Sequence, residues 1–231
     1  MPIDANSSDE IIDEVLCTTK TEYRILLELK LISTEFNTGS IYIIPSKSNS
    51  LLWNGIYFIR SGPYKDAILR FKIQLETNYP NQKTPPELKL EFPIEHPLIS
   101  PDTQIFDSSH AFPTWNESEH LYSFLKYFKY AMENFDFCVN LPIEKIINIE
   151  IAELYKKDQK EFKEKAKEMI VKSVNQIFIP TGDENIFSYD RNSIEEDEEI
   201  HQSILENMKT VADNLPESFS FLFDNRNRSL H

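Results

Sequence analysis

The stretch YPNQKTPPELKLEFPIEHPLISPDTQIFDSSHAFPTW, Tyr79 to Trp115, decides how the rest of the chain is read. It holds one strand-like run, Glu87–Phe92, with prolines interrupting regular structure on either side. From Pro93 to Trp115, the residues Pro93, Pro97, Pro101 and Pro113 leave no helical or strand period. At about 23 residues this segment exceeds the usual connector in a compact domain, and loops of that length commonly carry function.

Upstream, three more β-branched and aromatic runs, Ile41–Ile44, Leu52–Arg60 and Ala67–Leu75, are separated by Pro, Gly, Ser and Asn, and predict with Glu87–Phe92 a four-strand antiparallel meander. In the third run Ile68, Arg70, Lys72 and Gln74 alternate with Leu69, Phe71, Ile73 and Leu75, so one face should be buried and the other largely wet. Before the meander, Ile12, Val15, Leu16, Thr19, Tyr23, Leu26 and Leu27 recur at three- and four-residue steps between Glu10 and Leu31, which is the spacing of an amphipathic helix.

Downstream, Leu121, Phe124, Leu125, Phe128, Met132 and Phe135 share a helical face, with Glu117 and Glu119 near the positive end of that helix. Two further helices are expected over about 143–155 and 158–176, the latter burying Phe162, Ala166, Met169 and Ile170. Strands and helices segregated in this order imply an α+β fold. After Pro180-Thr-Gly-Asp the character changes. Ser193 and Glu196 fit a capping box, Glu195–Glu199 is an acidic run, and Ile204, Met208, Val211 and Leu215 form a stripe at helical spacing. That stripe is either a helix that docks on a partner or one that packs on its own domain. Phe219-Ser-Phe-Leu-Phe alternates aromatics and reads as a docking tail or a strip folded back on the domain. The expected organisation is a disordered 1–9, a domain over 10–178 and an acidic extension over 179–231.

The chain has 231 residues and a formal charge of −14, and residues 1–140 and 141–231 each carry −7, so the shorter part is the denser in negative charge. Such a balance argues against general nucleic-acid binding, which draws affinity from clustered Lys and Arg. No apolar run approaches the ~18 residues of a membrane-spanning helix, no targeting segment stands at Met1-Pro2-Ile3-Asp4, and a cytoplasmic location is expected. Cys17 and Cys138 are the two cysteines, and His96, His110 and His120 match no metal-ligand spacing, so neither a metal nor any other cofactor is expected.

Tyr79-Pro80, Pro85-Pro86, His96-Pro97 and then Trp115 before a helix, all behind an N-terminal helix and a four-strand meander, resemble the ubiquitin-conjugating (E2) fold over about 10–176. Asn148-Ile-Glu-Ile-Ala-Glu-Leu-Tyr followed by Asp158 and Phe162 is similar to that family's last two helices. Conjugating enzymes carry His-Pro-Asn with the thioester cysteine ten residues after the histidine. Here the run is His96-Pro97-Leu98 and the tenth residue is Phe106. A phenyl ring cannot form an acyl intermediate, and leucine has no donor to offer an oxyanion. The resemblance therefore implies a catalytically inactive variant with degenerate positions at His96, Pro97, Leu98 and Phe106.

Within the family, His96-Pro-Leu-Ile-Ser-Pro, Ser109-His110-Ala-Phe and Ser50-Leu-Leu-Trp53-Asn-Gly-Ile-Tyr-Phe-Ile-Arg60 resemble the cysteine-less fused-toes (AKTIP) subfamily. That resemblance implies protein partners, namely Hook-type microtubule linkers and their companions in vesicle traffic. Two alternatives stand beside it: a conjugating enzyme that uses a displaced cysteine, Cys17 or Cys138, and a variant that binds ubiquitin non-covalently. The loops Asn81-Gln82-Lys83 and Asn116-Glu117-Ser118 lack the hydrophobic anchors with which the family meets RING ligases. His96 is expected to bond loop backbone rather than act as a base. Leu98 and Phe106 either fill the former groove as core residues or form an exposed apolar patch. Asp107-Ser108-Ser109-His110 has hydrolase-like residue types, but adjacency in sequence supplies neither a relay nor an oxyanion hole.

Overall fold

The computed structural model describes residues 5–36, 39–179 and 187, with side chains from 19 onward. Helix α1 spans Ala5–Glu35, strands β1 to β4 span Ile41–Pro45, Leu52–Phe58, Ile68–Gln74 and Glu87–Leu90, and helices α2 to α5 span Leu121–Glu133, Phe135–Val139, Ile149–Lys157 and Gln159–Gln176. Residues 5–9, expected to be disordered, are helical. The sheet is an antiparallel meander in the order β1-β2-β3-β4, as the strand-like runs predict. No helix among the described residues is long and apolar enough to cross a membrane.

The inner face of the sheet packs on α2. Gly55 sits between Ile43 and Phe71 in the register. A Cβ at Gly55 would lie 2.3 Å from the Phe71 ring, so the absent side chain is what lets that ring cross the middle of the sheet. Phe71 then meets Phe128 of α2 with ring centroids 5.6 Å apart. At Gly62 backbone conformation and space coincide: φ is +84°, and a Cβ would approach the Glu133 carbonyl oxygen to 2.5 Å.

The outer face differs from the alternation argument. Ile68 and Arg70, expected to be wet, are buried, and Lys72 is half-buried. The end of α5 and the residues after it lie against this face, where Ile44, Ile56, Phe58 and Ile68 form a second core with Ile177 and Phe187. Arg70 survives burial because every direction of its guanidinium is answered: Nη2 donates to the Gln176 carbonyl at 3.1 Å, Nη1 to the Ile179 carbonyl at 3.2 Å, and Nε pairs with Glu91 at 3.3 Å. A cation at the carbonyl end of α5 also complements the helix dipole. Ser173 accepts the Ile68 N–H at 3.2 Å where β4 no longer extends alongside β3.

Helix α2 begins at Leu121, and the carboxylate at its positive end belongs to Glu28 of α1 rather than to Glu117 or Glu119. Glu28 is fully buried. Its Oε2 accepts the Leu121 N–H at 2.8 Å, while its Oε1 accepts Arg24 Nε at 2.9 Å and the Tyr79 hydroxyl at 2.9 Å and lies 3.0 Å from His120 Nδ1. Asn134 separates α2 from α3, so Phe135 belongs to α3. The helix expected over 143–155 instead starts at Ile149, capped by the Asn148 side chain, after a 3-10 turn at Ile143–Lys145. Tyr79–Pro80 is cis, and Gln82 beneath that turn is buried, accepting from Glu76 N–H at 3.1 Å and donating to the Thr84 carbonyl at 2.6 Å.

Glu28→Ala removes the acceptor of the Leu121 N–H and strands the Arg24 charge. A loss of about 3–5 kcal/mol is expected, the usual cost of breaking a buried ionic network on one side. Urea unfolding followed by circular dichroism measures it, with Glu22→Ala, at an exposed position of the same helix, expected to change stability by less than about 0.5 kcal/mol.

Candidate functional site

The segment from Pro93 to Trp115 is a packed part of the domain. Ile94, His96, Leu98, Ile99, Phe106, Ser108 and Trp115 are all buried in it. Its middle doubles back through a bridge between Ile99 and Phe106 and is sewn to β4 by Phe106 N–H to the Leu88 carbonyl at 2.9 Å and Leu90 N–H to the Gln104 carbonyl at 3.0 Å. The extended backbone makes side chains alternate. Phe106 and Ser108 point inward, while Ile105 and Asp107 remain partly exposed.

Of the two readings of Leu98 and Phe106, the structure places both side chains in the core, at 0% and 3% exposure. Phe106 meets Phe128 edge-on at 5.1 Å between ring centroids, Tyr127 at 5.8 Å and Phe124 at 6.4 Å. Phe112 and Trp115 close the same cluster, their rings tilted by 48° with centroids 5.6 Å apart. Aromatic contacts of this kind add about 0.5–1.5 kcal/mol per pair to the burial itself. The packing takes precedence over polar pairing here: Trp115 Nε1 and the Tyr127 hydroxyl are buried with no hydrogen-bond partner among the described residues.

His96 is enclosed at the end of α2. Its Nδ1 accepts the Leu98 N–H at 3.1 Å, which requires an unprotonated Nδ1 and puts the proton on Nε2, 3.2 Å from the Ala131 carbonyl. Ala131 carries one of the four last carbonyls of α2, groups that no helix satisfies internally. Burial lowers the imidazole pKa to about 4, the bond to Ala131 opposing part of the shift. The ring is thus neutral at physiological pH, and it also packs edge-on against Phe135 at 5.2 Å. Pro97 contributes its carbonyl, which accepts the N–H groups of Ile147 and Asn148 at 2.8 and 3.0 Å and so ties the turn to the approach to α4.

The thiol of Cys138 donates to the same Ala131 carbonyl at 3.4 Å, is buried, and is pushed up to about 12 by that burial. A thiol so held is almost wholly protonated at neutral pH. The side chain of Cys17 on α1 lies outside the described residues, as does the stripe Ile204, Met208, Val211 and Leu215. Asp107 accepts both the N–H and the hydroxyl of Ser109, at 2.9 and 3.1 Å, while His110 is exposed and its ring lies 5.7 Å from that of Phe137, so these three form a local turn and not a relay. Among the described residues no three His, Cys, Asp or Glu side chains converge as metal ligands.

Sequence reasoning missed the open part of the site. A cleft of about 560 Å³ lies beside the His96–Pro97 turn, lined by Glu95, Pro101, Ile147, Ile149, Glu150 and Lys165 among others. Ile143, Ile147 and Ile149 expose 65%, 45% and 41% of their surface along this segment. Five isoleucines between 143 and 151 carried the signal, obscured by the expectation of a continuous helix.

Two properties follow from this geometry. The His96 pKa is lower in the folded than in the unfolded chain, where it stays near 6.5, so the unfolded state binds the proton first. Stability should be unaffected by this group above pH 6.5 and fall by about 3 kcal/mol as pH drops from 6.5 to 4, at about 1.4 kcal/mol per pKa unit. His96→Gln should flatten that part of a pH series of urea midpoints while lowering stability at neutral pH. In native buffer Cys138 should resist a disulfide exchange reagent such as DTNB, reacting at least ~100-fold slower than in denaturant; a Cys17→Ser background isolates the measurement.

A family profile described as ubiquitin-conjugating enzyme matches residues 24–170. Protein crossbronx of Drosophila persimilis is 35% identical over 94% of this chain and 88% of its own length, and the crossbronx homolog of Anopheles gambiae is 30% identical over 90% and 88%. Among solved structures, a putative ubiquitin-conjugating enzyme from Plasmodium yoelii aligns with a TM-score of 0.54 at 22% identity, covering 65% of this chain and 93% of that one. The ubiquitin-conjugating enzyme Pex4p of H. polymorpha, solved in complex with the soluble domain of Pex22p, aligns with a TM-score of 0.55 at 20% identity over 66% and 97%. The four-strand meander, the cis Tyr79–Pro80 turn and the His96–Pro97 segment beneath α2 are therefore those of a member of the ubiquitin-conjugating enzyme family, related over nearly its whole length to the crossbronx proteins.

Proposed function

We propose that this chain is a catalytically inactive E2 variant that works as a protein-interaction module. The observation that carries the reading is Phe106: the tenth residue after His96 is an aromatic ring locked into the core against α2, in a segment without a cysteine between His96 and Trp115. A nucleophile must reach the activated carbonyl of its substrate and ionise near neutral pH. Phe106 does neither, Leu98 offers no side-chain donor, and the Cys138 thiol is enclosed with a raised pKa. Pex4p bound to Pex22p shows another protein of this fold engaging a protein partner. The fused-toes resemblance supports a finer reading: a cytoplasmic complex with a Hook-type coiled-coil linker and its companion proteins in vesicle traffic.

The test is a charging reaction of the full chain with activating enzyme, ATP and ubiquitin, resolved on gels with and without reductant. No reducible adduct is expected, while a competent conjugating enzyme in the same reaction becomes charged. A reducible adduct that disappears with Cys17→Ser or Cys138→Ser would overturn the reading and make the chain an enzyme with a displaced thiol.

A further inference from the structure

The cleft beside the His96–Pro97 turn joins exposed aliphatic surface to unanswered charge. Ile147 and Ile149 line it while staying open to solvent, and Ile143, the most exposed of the three, stands one turn before Ile147. Its charged lining residues are Glu95, Glu150 and Lys165, and none of them forms an ion pair with a described residue. A concave apolar surface that carries two acids and one base is complementary to an apolar segment that carries two bases and one acid.

The chain itself contains such a segment. Two apolar stretches follow Phe187 outside the described residues: the stripe Ile204, Met208, Val211 and Leu215, and Phe219-Ser-Phe-Leu-Phe. From Glu195 through Glu217 there are eight acidic residues and one lysine, so the stripe would bring like charge to Glu95 and Glu150. Phe219-Ser-Phe-Leu-Phe is followed instead by Asp224, Arg226 and Arg228, the inverse of the cleft's charges. In an extended conformation its three phenylalanines fall on one side. Reach is no obstacle. Phe187 is buried in the same cluster as Ile177, and Ile177 lies about 18 Å along α5 from Lys165. The 32 residues from Phe187 to Phe219 exceed that span even at the rise of a helix, which would give about 48 Å. We infer that residues 219–223 dock in the cleft of their own chain, with Arg226 and Arg228 toward Glu95 and Glu150 and Asp224 toward Lys165. Tethering holds the segment at about millimolar local concentration, so an outside protein of the same chemistry has to displace it to use the cleft. The inference goes beyond the interaction-module reading and does not depend on whether the chain can be charged with ubiquitin.

Disulfide trapping in the full chain tests the contact, in a Cys17→Ser background with the buried Cys138 left in place. In oxidised glutathione, Ile147→Cys paired with Ser220→Cys should close an intramolecular disulfide at least ~10-fold faster than Val171→Cys paired with Ser220→Cys. Val171 is exposed and lies closer along α5 to Ile177, so a tail that is tethered but undocked should reach it at least as fast as it reaches Ile147. Ile147→Cys paired with Ser203→Cys, beside the stripe, should be as slow as the Val171 pair. Adding Phe221→Ser and Phe223→Ser should bring the fast pair down to these controls. Arg226→Glu with Arg228→Glu should slow it about threefold or more, and Glu150→Lys on top of them should recover part of the loss. Equal or faster trapping at Val171 would overturn the inference. So would a rate indifferent to the phenylalanines, a faster Ser203 pair, which would seat the stripe in the cleft instead, or a rate that rises with chain concentration, the mark of contact between copies. Trapping reads the cleft and the charging reaction reads an acceptor thiol, so either can fail without the other.

Discussion

The carboxylate of Glu28 is the constraint on which the arrangement of this domain depends. It is fully buried, and a buried charge is tolerated only when nearly every lone pair is used. Glu28 meets that demand by taking the first N–H of α2, the Tyr79 hydroxyl and Arg24 together, with His120 alongside. Arg24 extends the network to the Glu119 carbonyl at 2.7 Å. Three separate segments, α1, the cis-proline turn and the start of α2, are thereby fixed to a single group. Sliding any one of them leaves a charge or a donor unpaired in the interior.

What α2 then carries is the segment around His96 and Phe106. The inward aromatic side chains of α2 meet Phe106 and Phe112, and its last-turn carbonyl at Ala131 is shared by His96 and Cys138. The polar groups at this end of the helix serve to satisfy backbone, and the apolar ones to fill space. The histidine is neutral for the same reason, since burial penalises a charge there and the Ala131 carbonyl offsets only part of that cost. The opposite side of the sheet is also occupied, by the end of α5 with Ile177 and Phe187 against Ile56 and Ile68. Both faces of the central sheet are used for internal packing, and among the described residues the isoleucine-rimmed cleft near α4 is left open.

The meander was legible because strand alternation and proline punctuation are local signals, and the absence of cysteine from 96 to 115 needs no structure at all. Three features were not legible, each for a physical reason. Arg70 reads as solvent-facing in any alternating strand, and only the carbonyls of Gln176 and Ile179 make its burial affordable. Glu117 and Glu119 stand in the right place for a helix start, yet the carboxylate that caps α2 comes from 93 residues earlier. Asn134 ends α2 before Phe135, which frees that ring to join Tyr155 and Phe162 at 4.8 and 4.9 Å.

The sequence by itself determined the fold class, the family and the phenylalanine ten residues after His96, because these depend on which residue types occur and in what order. Only the tertiary structure decided whether Leu98 and Phe106 are surface or core, what state His96 is in, and which carboxylate meets the start of α2. Those outcomes depend on how distant segments share space and on the burial of single atoms. Spacing along the chain carries no record of either.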